Sequence, residues 1–218
     1  MAAKKSAKKS APSSGASKAS GPALDSVVAA GLEEAAAVGW SRVSLEAVAD
    51  RAGVALGALL LETPSKAHLV TLYLKWLDGR TVGPVRKIDP NDTPRDRLFE
   101  IVMRRFDAMN ENRAGTRALV MGVPRDPQTA IMSLCTLERS FRAMLEAAGI
   151  STGGIVGLVR VQGFKAVLAC TLNAWAKDDS DDMAKTMAAL DKALNRAESL
   201  SRFKMRRPKK DEAAAAQA

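Results

Sequence analysis

The chain has 218 residues, enough for one or two helical domains with a hydrophobic core, and carries a net charge of +9. Hydrophobic residues make up 47% and aromatic residues only 4%, which favours an all-α protein. Two cysteines and one histidine are too few for a zinc site, and no other metal site or cofactor is indicated. The absence of a signal-peptide pattern and of an unbroken membrane-spanning run predicts a cytoplasmic protein.

The positive charge is concentrated at the two ends of the chain. Five lysines and no acidic residue give residues 1–22 a charge of +5, and six basic against two acidic residues give 202–218 a charge of +4. Residues 23–201 are therefore neutral. We expect a disordered basic arm over 1–22 and a disordered tail over 205–218. These ends are either solvated or hold polyanions such as DNA nonspecifically.

Helical periodicity begins at Ala23 and predicts a small N-terminal unit over residues 23–79. Gly39 is expected to end the first helix, and Ser44 to cap the second. Gly53 then makes a turn into a short third helix through Leu61. Ser65 is expected to cap a fourth helix that ends near Gly79, followed by a connection over 80–94.

A larger helical bundle is predicted over residues 80–204, with helices at 94–111, 113–122, 127–148, 154–177 and 181–204. The helix at 154–177 is apolar almost all round, so we expect it to be buried against its own bundle and a partner subunit. Cys135 and Cys170 lie in apolar surroundings and are expected to be reduced, buried thiols. The acidic residues between the last two helices fit a helix N-terminus better than a cation site: Asp178, Asp179, Asp181 and Asp182.

Residues 42–70 have the spacing of a helix-turn-helix, in which small residues and a glycine let two helices cross closely. The stretches Gly39-Trp40-x-x-Val43-Ser44, Val48-Ala49-x-x-Ala52-Gly53-Val54, Gly57-x-Leu59 and Pro64-Ser65-Lys66-x-x-Leu69 resemble the TetR family of regulators. The resemblance implies a TetR-like fold, a DNA-binding N-terminal unit, a ligand pocket in the C-terminal bundle and a homodimer. It also implies that the dimer forms through the helices at about 154–177 and 181–204.

The second helix of this motif departs from the TetR pattern where DNA would be read. The residues at these positions are apolar: Ala55, Leu56, Leu60 and Leu61. No side chain from 54 to 61 can donate or accept a hydrogen bond. Such bonds distinguish base edges, so the readout is predicted to be atypical and weak. The candidate DNA-binding residues are Arg42, Ser44, Leu56, Gly57, Leu60 and Lys66. Ser44 and Lys66 are alternatively a helix cap and a solvated lysine.

Charge indicates the same weakness in DNA binding. Residues 23–79 contain four basic and seven acidic residues, a net charge of −3 on the unit that would meet phosphates. Nonspecific affinity for DNA comes mainly from cations at the phosphates. The basic arm over residues 1–22 would have to supply the positive charge that this unit lacks for contact with phosphates.

A second, shorter resemblance lies near the C-terminus. The pattern Leu172-x-x-Trp175-x-x-Asp178-x-Ser180-x-Asp182-x-x-x-Thr186-x-x-x-Leu190-Asp191 is similar to the COQ9 family. That resemblance implies a TetR-like protein that binds lipids or quinone precursors without catalysis. The chain lacks the aspartate-rich and Trp-Tyr-rich stretch that precedes this region in that family.

The bundle also contains residues suited to an apolar pocket between the helices at 94–111, 113–148 and 154–177. Methionines adapt to irregular apolar ligands such as lipids, although the same residues would serve equally as core. The candidates are Met103, Phe106, Met109, Met121, Met132, Leu134, Phe141, Met144 and Phe164.

Three hypotheses therefore remain open. The chain is a dimeric TetR-like regulator with atypical DNA contacts, a COQ9-like carrier that does not bind DNA, or a protein whose Leu56, Leu60 and Leu61 form a protein-docking patch. An enzyme has the least support, because one histidine without a nucleophile in its motif is too little for catalysis.

Overall fold

A computed structural model describes residues 22–82, 92–180 and 182–205. Within these ranges the chain forms nine α-helices, two short 3-10 helices and no strand, which confirms the all-α prediction. The predicted arm and tail lie outside the described residues, apart from Pro22 and Met205. The helices are α1 (Pro22–Val38), α2 (Leu45–Ala52), α3 (Leu56–Glu62), α4 (Lys66–Val82), α5 (Pro94–Asn110), α6 (Arg113–Gly122), α7 (Pro127–Ala147), α8 (Gly154–Trp175) and α9 (Ala184–Met205).

The N-terminal unit is built on α1, which packs against α2, α4 and α6. Apolar residues at helical spacing on α1 are buried, including Val28, Leu32 and Ala35. Gly39 follows α1 with a φ of +79°, as expected for a glycine that ends a helix. The 3-10 helix Trp40–Arg42 then leads into α2.

The longer α4 joins this unit to the C-terminal bundle. It packs against α5 and α7. The helices α8 and α9 pack against each other, and α5 packs against α9. The predicted end of α4 near Gly79 is wrong, because the helix continues to Val82. Two contacts support the extra turn: buried Thr81 donates its hydroxyl to the Leu77 carbonyl at 2.6 Å, and the Arg80 guanidinium lies 4.3 Å from the Trp76 ring centre.

Only one side of α8 is covered within the protomer. Gly157, Val161, Phe164 and Trp175 face the bundle, whereas the opposite side is open to solvent. Its large exposed apolar residues are Ile155, Val156, Leu158 and Val159. By length and composition alone, α8 is the one helix among the described residues that could cross a membrane, and a third of its apolar stretch is buried within the fold.

The prediction of buried cysteines is wrong for this protomer. Cys135 on α7 and Cys170 on α8 are both exposed. Each lies on a face of its helix that turns away from the core, beside buried neighbours such as Ser133 and Thr171. An apolar sequence environment did not distinguish a buried helix face from an exposed one.

Candidate functional site

The turn between α2 and α3 has the geometry of a helix-turn-helix. The Ser44 hydroxyl oxygen accepts a hydrogen bond from the Ala47 N–H at 3.2 Å and so caps α2. Gly53 ends α2 with a φ of +68°, a left-handed conformation that favours glycine. Val48 and Ala49 are buried, and α2 packs against α3. The predicted cap and turn of this unit are confirmed.

The helix α3 presents an apolar surface to solvent. Leu59 is its buried residue, and it anchors the helix to the core. Leu56 and Leu60 are each 39% exposed, and Leu61 is 85% exposed. Gly57 is also exposed, with open space around its Cα. Because these residues offer no hydrogen bonds, α3 has only methyl and backbone contacts for base edges.

The exposed charges around α3 are mainly acidic. Glu46 and Asp50 lie one turn apart on the exposed side of α2, and Glu62 lies at the end of α3. None of the three joins an ion pair in the part of the chain that the structure describes. The Arg51 guanidinium is neutralised by Glu34 at 2.9 Å. The surface around the turn therefore repels phosphate more than it attracts it.

Lys66, predicted as a phosphate contact, is held by other groups. Its Nζ lies 3.3 Å from an Asp126 carboxylate oxygen and donates to the Trp40 carbonyl at 3.3 Å. The same ammonium lies 5.1 Å from the centre of the Trp40 ring. Lys66 thus connects the helix-turn-helix unit to the start of α7, and it can reach DNA only if this ion pair opens.

The Asp126 carboxylate is fixed in position as the N-cap of α7. It accepts hydrogen bonds from the Thr129 backbone N–H at 3.2 Å and from the Thr129 hydroxyl at 2.8 Å. These bonds, with a smaller contribution from Lys66, lower the pKa of Asp126 below its ordinary value. The carboxylate therefore remains charged and available to Lys66 at neutral pH.

Arg42 is the candidate cation that keeps an uncompensated charge. Its Nε donates to the Val38 carbonyl at 2.7 Å, and it forms no ion pair with another described residue. Arg42 and the Ser44 hydroxyl are therefore the two candidates beside the turn that remain able to donate to a phosphate.

The candidate pocket residues separate into three groups. Phe106, Met109, Met144 and Phe164 are buried, and Met103 and Phe141 are half-buried. The Phe141 and Phe164 rings meet edge to face with centres 5.9 Å apart. Three candidates are instead exposed, so they do not line an interior cavity of this protomer: Met121, Met132 and Leu134.

The exposure of these three residues follows from how α6 and α7 pack. The helix α7 turns Ser133, Ser140 and Met144 inward and presents Met132 and Leu134 on its other faces. Two of these inward residues are small and polar: Ser133 donates to the Thr129 carbonyl one turn back on α7 at 2.7 Å, and Ser140 donates to Asp78 on α4. Met132 and Leu134 therefore lie on the exposed side of α7.

A polar cluster that the sequence did not reveal lies inside the bundle. The nearly buried Arg105 guanidinium donates to Asp78 at 2.8 Å, and the Ser140 hydroxyl donates to the same carboxylate. Nearby, Tyr73 and Thr116 share a hydrogen bond of 3.0 Å, and burial raises the pKa of Tyr73 to about 12. The partners are 27 to 62 positions apart, so no local sequence pattern marks them.

The pattern that resembles the COQ9 family forms the junction between α8 and α9. Asp178 is fully buried and accepts hydrogen bonds from the Thr186 N–H at 2.8 Å and the Thr186 hydroxyl at 2.7 Å. It also accepts from the N–H and hydroxyl of Ser180. Burial alone would raise the pKa of Asp178, but these hydrogen bonds outweigh it and hold the pKa far below its ordinary value.

The rest of that pattern is also used in packing. Trp175 is fully buried and donates its indole N–H to Asn110 at 2.8 Å, and Asp182 caps α9 through the Ala184 N–H at 3.1 Å. The predicted capping role of this acidic stretch is confirmed for Asp178 and Asp182, whereas Asp181 lies outside the described residues. Among the described residues no group of three or more histidine, cysteine and acidic side chains could hold a metal ion.

A narrow crevice lies between α1, α4 and α6. It is almost entirely apolar, and its free volume of about 10 Å³ is close to that needed by a single water molecule. The indole N–H of Trp40 is buried and has no hydrogen-bond partner among the residues that the structure describes. The crevice is lined by Val27, Val28, Gly31, Leu32, Trp40, Leu69, Leu72, Tyr73 and Leu119.

Comparison with known proteins agrees with this geometry. Residues 27–72 match the sequence model of bacterial regulatory proteins, tetR family. The structure is similar to the TetR transcriptional regulator from Nitrosomonas europaea, with a TM-score of 0.67 and 22% identity over 82% of this chain and 99% of that one. The resemblance to the TetR family is confirmed, and the fold is TetR-like.

Two further similar structures are regulators named FadR. The fatty acid degradation regulator FadR from Bacillus halodurans has a TM-score of 0.57 and 16% identity, over 80% of this chain and 95% of that one. FadR from Bacillus subtilis, in complex with stearoyl-CoA, has a TM-score of 0.51 and 15% identity, over 79% and 96%. No curated protein sequence matches this chain.

Proposed function

We propose that this TetR-like chain is a homodimeric, cytoplasmic transcriptional regulator with an apolar small-molecule pocket and an atypical, weak readout of DNA. The match of residues 27–72 to the tetR family carries this proposal, because the matched segment is the helix-turn-helix itself. The Ser44 cap of α2 and the left-handed Gly53 form the turn that this motif needs.

The weak readout is argued from the residues around α3. Its leucines provide methyl contacts, and the nearest uncompensated groups are Arg42 and Ser44. The lysine-rich residues 1–22 would therefore supply most of the phosphate contacts. Binding of this kind is strongly dependent on salt and only slightly dependent on sequence.

The homodimer is argued from α8 and α9. A helix that exposes Ile155, Val156, Leu158 and Val159 on one side has an unsatisfied apolar surface larger than scattered single residues would give. A second copy that places its own α8 and α9 against this side would form a four-helix interface. The same association would cover Cys170.

The ligand class is argued from the bundle and from the relatives. Buried Phe106, Met109, Met144 and Phe164 with half-buried Met103 and Phe141 form an apolar, adaptable lining. A similar structure holds stearoyl-CoA, so a long-chain acyl compound is the ligand class to test first. Met121, Met132 and Leu134 are left out of the proposed lining.

A second candidate is a lipid or quinone-precursor carrier that resembles the COQ9 family and does not bind DNA. The apolar, acid-flanked α3 favours it, since DNA-reading groups would have no use in a carrier. The C-terminal resemblance adds little, because its residues are occupied in joining α8 to α9.

One binding experiment distinguishes the two candidates. Fluorescence anisotropy with genomic DNA fragments at salt concentrations from about 50 to about 200 mM would compare the full chain with a form lacking residues 1–22. We expect salt-dependent binding by the full chain and much weaker binding without the arm. Sequence-specific, sub-micromolar binding that survives the deletion would contradict weak readout. Failure of both forms to bind, with lipid found by native mass spectrometry, would establish the carrier.

A further inference from the structure

The exposed apolar surface of α3 has a composition unlike that of a nucleic-acid interface. Leu56 and Leu60 lie four residues apart on the same face of the helix, and Leu61 lies beside them as the most exposed of the three, at 85%. We call these three residues the leucine patch. Adjacent large apolar side chains at the surface of a soluble protein mark an interaction site more often than isolated ones do.

The charges on α2 and α3 restrict what the leucine patch can bind. Glu46, Asp50 and Glu62 are exposed and form no ion pair among the residues described, and we call them the acidic flank. Arg51 and Lys66 are neutralised by Glu34 and Asp126, which leaves one nearby cation without an ion pair among the described residues, Arg42, against the three acids of the flank. A polyanion or an anionic membrane surface would therefore be repelled.

Self-association through this patch is disfavoured for the same reason. Two copies that joined their leucine patches would bring two acidic flanks together, and like charges in an interface oppose binding. A partner that matches the surface must combine bulky apolar side chains with positive charge. An amphipathic helix with lysine or arginine beside its apolar stripe meets both requirements.

We propose that the leucine patch is a docking surface for a basic amphipathic helix of a partner protein. Apolar side chains of that helix pack on Leu56, Leu60 and Leu61, and its cations face Glu46, Asp50 and Glu62. The long stems of lysine and arginine cover apolar surface while their charged ends reach the carboxylates. Occupation of α3 by such a helix would exclude DNA from the helix-turn-helix. This role goes beyond the regulator and its small-molecule pocket.

The test measures binding of a fluorescein-labelled 18-residue peptide to the full chain. Its leucines would follow a helical i, i+3, i+4, i+7 pattern, and its other residues would be lysines. A scrambled peptide of the same composition controls for charge alone. We expect micromolar binding by the amphipathic peptide and at least about tenfold weaker binding by the scrambled one.

Variants of the chain locate the site. The double substitution Leu60→Ser with Leu61→Ser is expected to weaken peptide binding at least about tenfold. The matched control is Leu134→Ser with Ile131→Ser on α7, where both residues are also exposed, and it is expected to leave binding unchanged. Thermal unfolding of each variant checks that the fold is intact.

Two results would overturn the proposal. One is peptide affinity that is the same for the α3 variant and the α7 variant. The other is equal affinity for the amphipathic and scrambled peptides. A DNA duplex that loses affinity when Leu60 and Leu61 become serine, while the peptide does not, would assign the patch to nucleic acid instead. None of these outcomes depends on whether residues 1–22 give the chain its DNA binding.

Discussion

Glycines at two positions on α6 determine how closely that helix approaches the N-terminal unit. A Cβ at Gly115 would lie 2.2 Å from the Leu32 carbonyl oxygen, and one at Gly122 would lie 2.3 Å from the Trp40 Cβ. Both distances are too short for any side chain. The absence of two Cβ atoms therefore lets α6 lie against α1 and Trp40.

Replacing the first of these glycines should destabilise the fold. We expect Gly115→Ala to lower the free energy of unfolding by about 1–3 kcal/mol, because a buried methyl group is forced against backbone. Urea titration followed by circular dichroism measures this change. Gly31→Ala is the matched control, since nothing lies within 4 Å of its Cβ position, and alanine should stabilise α1 by about 0.5–1 kcal/mol. Equal effects of the two substitutions would contradict the packing argument.

Asp178 stabilises the junction of α8 and α9 through its charged form. Its lowered pKa means that this contribution is complete above the ordinary pKa of 3.8 and is lost as the pH falls through the lower folded value. We expect Asp178→Ala to lower the free energy of unfolding by about 1–3 kcal/mol at neutral pH, because buried donors on Thr186 lose their acceptor.

The pH dependence provides the check on this assignment. Asp178→Asn keeps the size of the side chain and removes its charge. The difference in unfolding free energy between this variant and the natural chain should shrink as the pH is lowered from about 7 to about 3. A difference that stays constant over this range would mean that the carboxylate acts through shape alone.

At the scale of single elements, α2 and α3 combine an intact motif with an unsuitable surface. The motif persists because caps, turns and buried contacts determine helix geometry, and these involve Ser44, Gly53 and Leu59. The exposed residues of the same helices have no part in that geometry, so substitutions there leave it unchanged. Fold and DNA readout therefore separate within a segment of about 20 residues.

Removing negative charge from α2 should improve nonspecific DNA binding. We expect Glu46→Gln with Asp50→Asn to raise affinity for random duplex DNA about three- to tenfold at about 50 mM salt, with a smaller effect at high salt. Anisotropy titrations measure it. The control is Asp107→Asn with Asp179→Asn, two exposed acids on α5 and after α8. An equal gain from the control pair would indicate a general charge effect instead of a local one.

The ion pair between Lys66 on α4 and Asp126 at the start of α7 should prevent Lys66 from contacting a DNA phosphate. Asp126→Asn can keep the N-cap of α7 but releases Lys66. In that background, Lys66→Ala should weaken DNA binding about two- to fivefold, whereas in the natural chain it should have little effect. A double-mutant cycle measures the difference. If Lys66→Ala weakens binding strongly in the natural chain, the ion pair does not withhold the lysine.

At the scale of the whole molecule, the exposed side of α8 predicts a homodimer. Val159 is 52% exposed on the side of α8 that also carries Ile155, Val156 and Leu158, and a charge there would be costly to bury in an interface. We expect Val159→Glu to convert the dimer into a 23.1 kDa monomer in multi-angle light scattering. Leu61→Glu, at an exposed leucine of α3, should leave the mass of the dimer unchanged. A monomeric natural chain would disprove the proposed assembly.

Much of the architecture could be predicted from local pattern. Helical periodicity, glycines and capping residues located the helices to within a few residues, because these signals act over one or two turns. The errors arose where distant contacts decide. The end of α4 is held from α5 and the residue after it: the Arg104 guanidinium donates to the Thr81 carbonyl at 3.2 Å, and Arg80 forms an ion pair with Glu111. On α7, Ser140 faces inward and donates to Asp78 on α4.

The sequence by itself determined that α3 lacks hydrogen-bonding side chains and that residues 23–79 are acidic, because these are properties of composition. Only the tertiary structure decided which charged side chains are held in ion pairs and which remain able to contact DNA or a partner. It pairs Arg51 with Glu34 and Lys66 with Asp126, and it leaves Glu46 and Asp50 without an ion pair in the described ranges. Ion pairs depend on distances between side chains, and folding sets those distances between residues far apart in the chain.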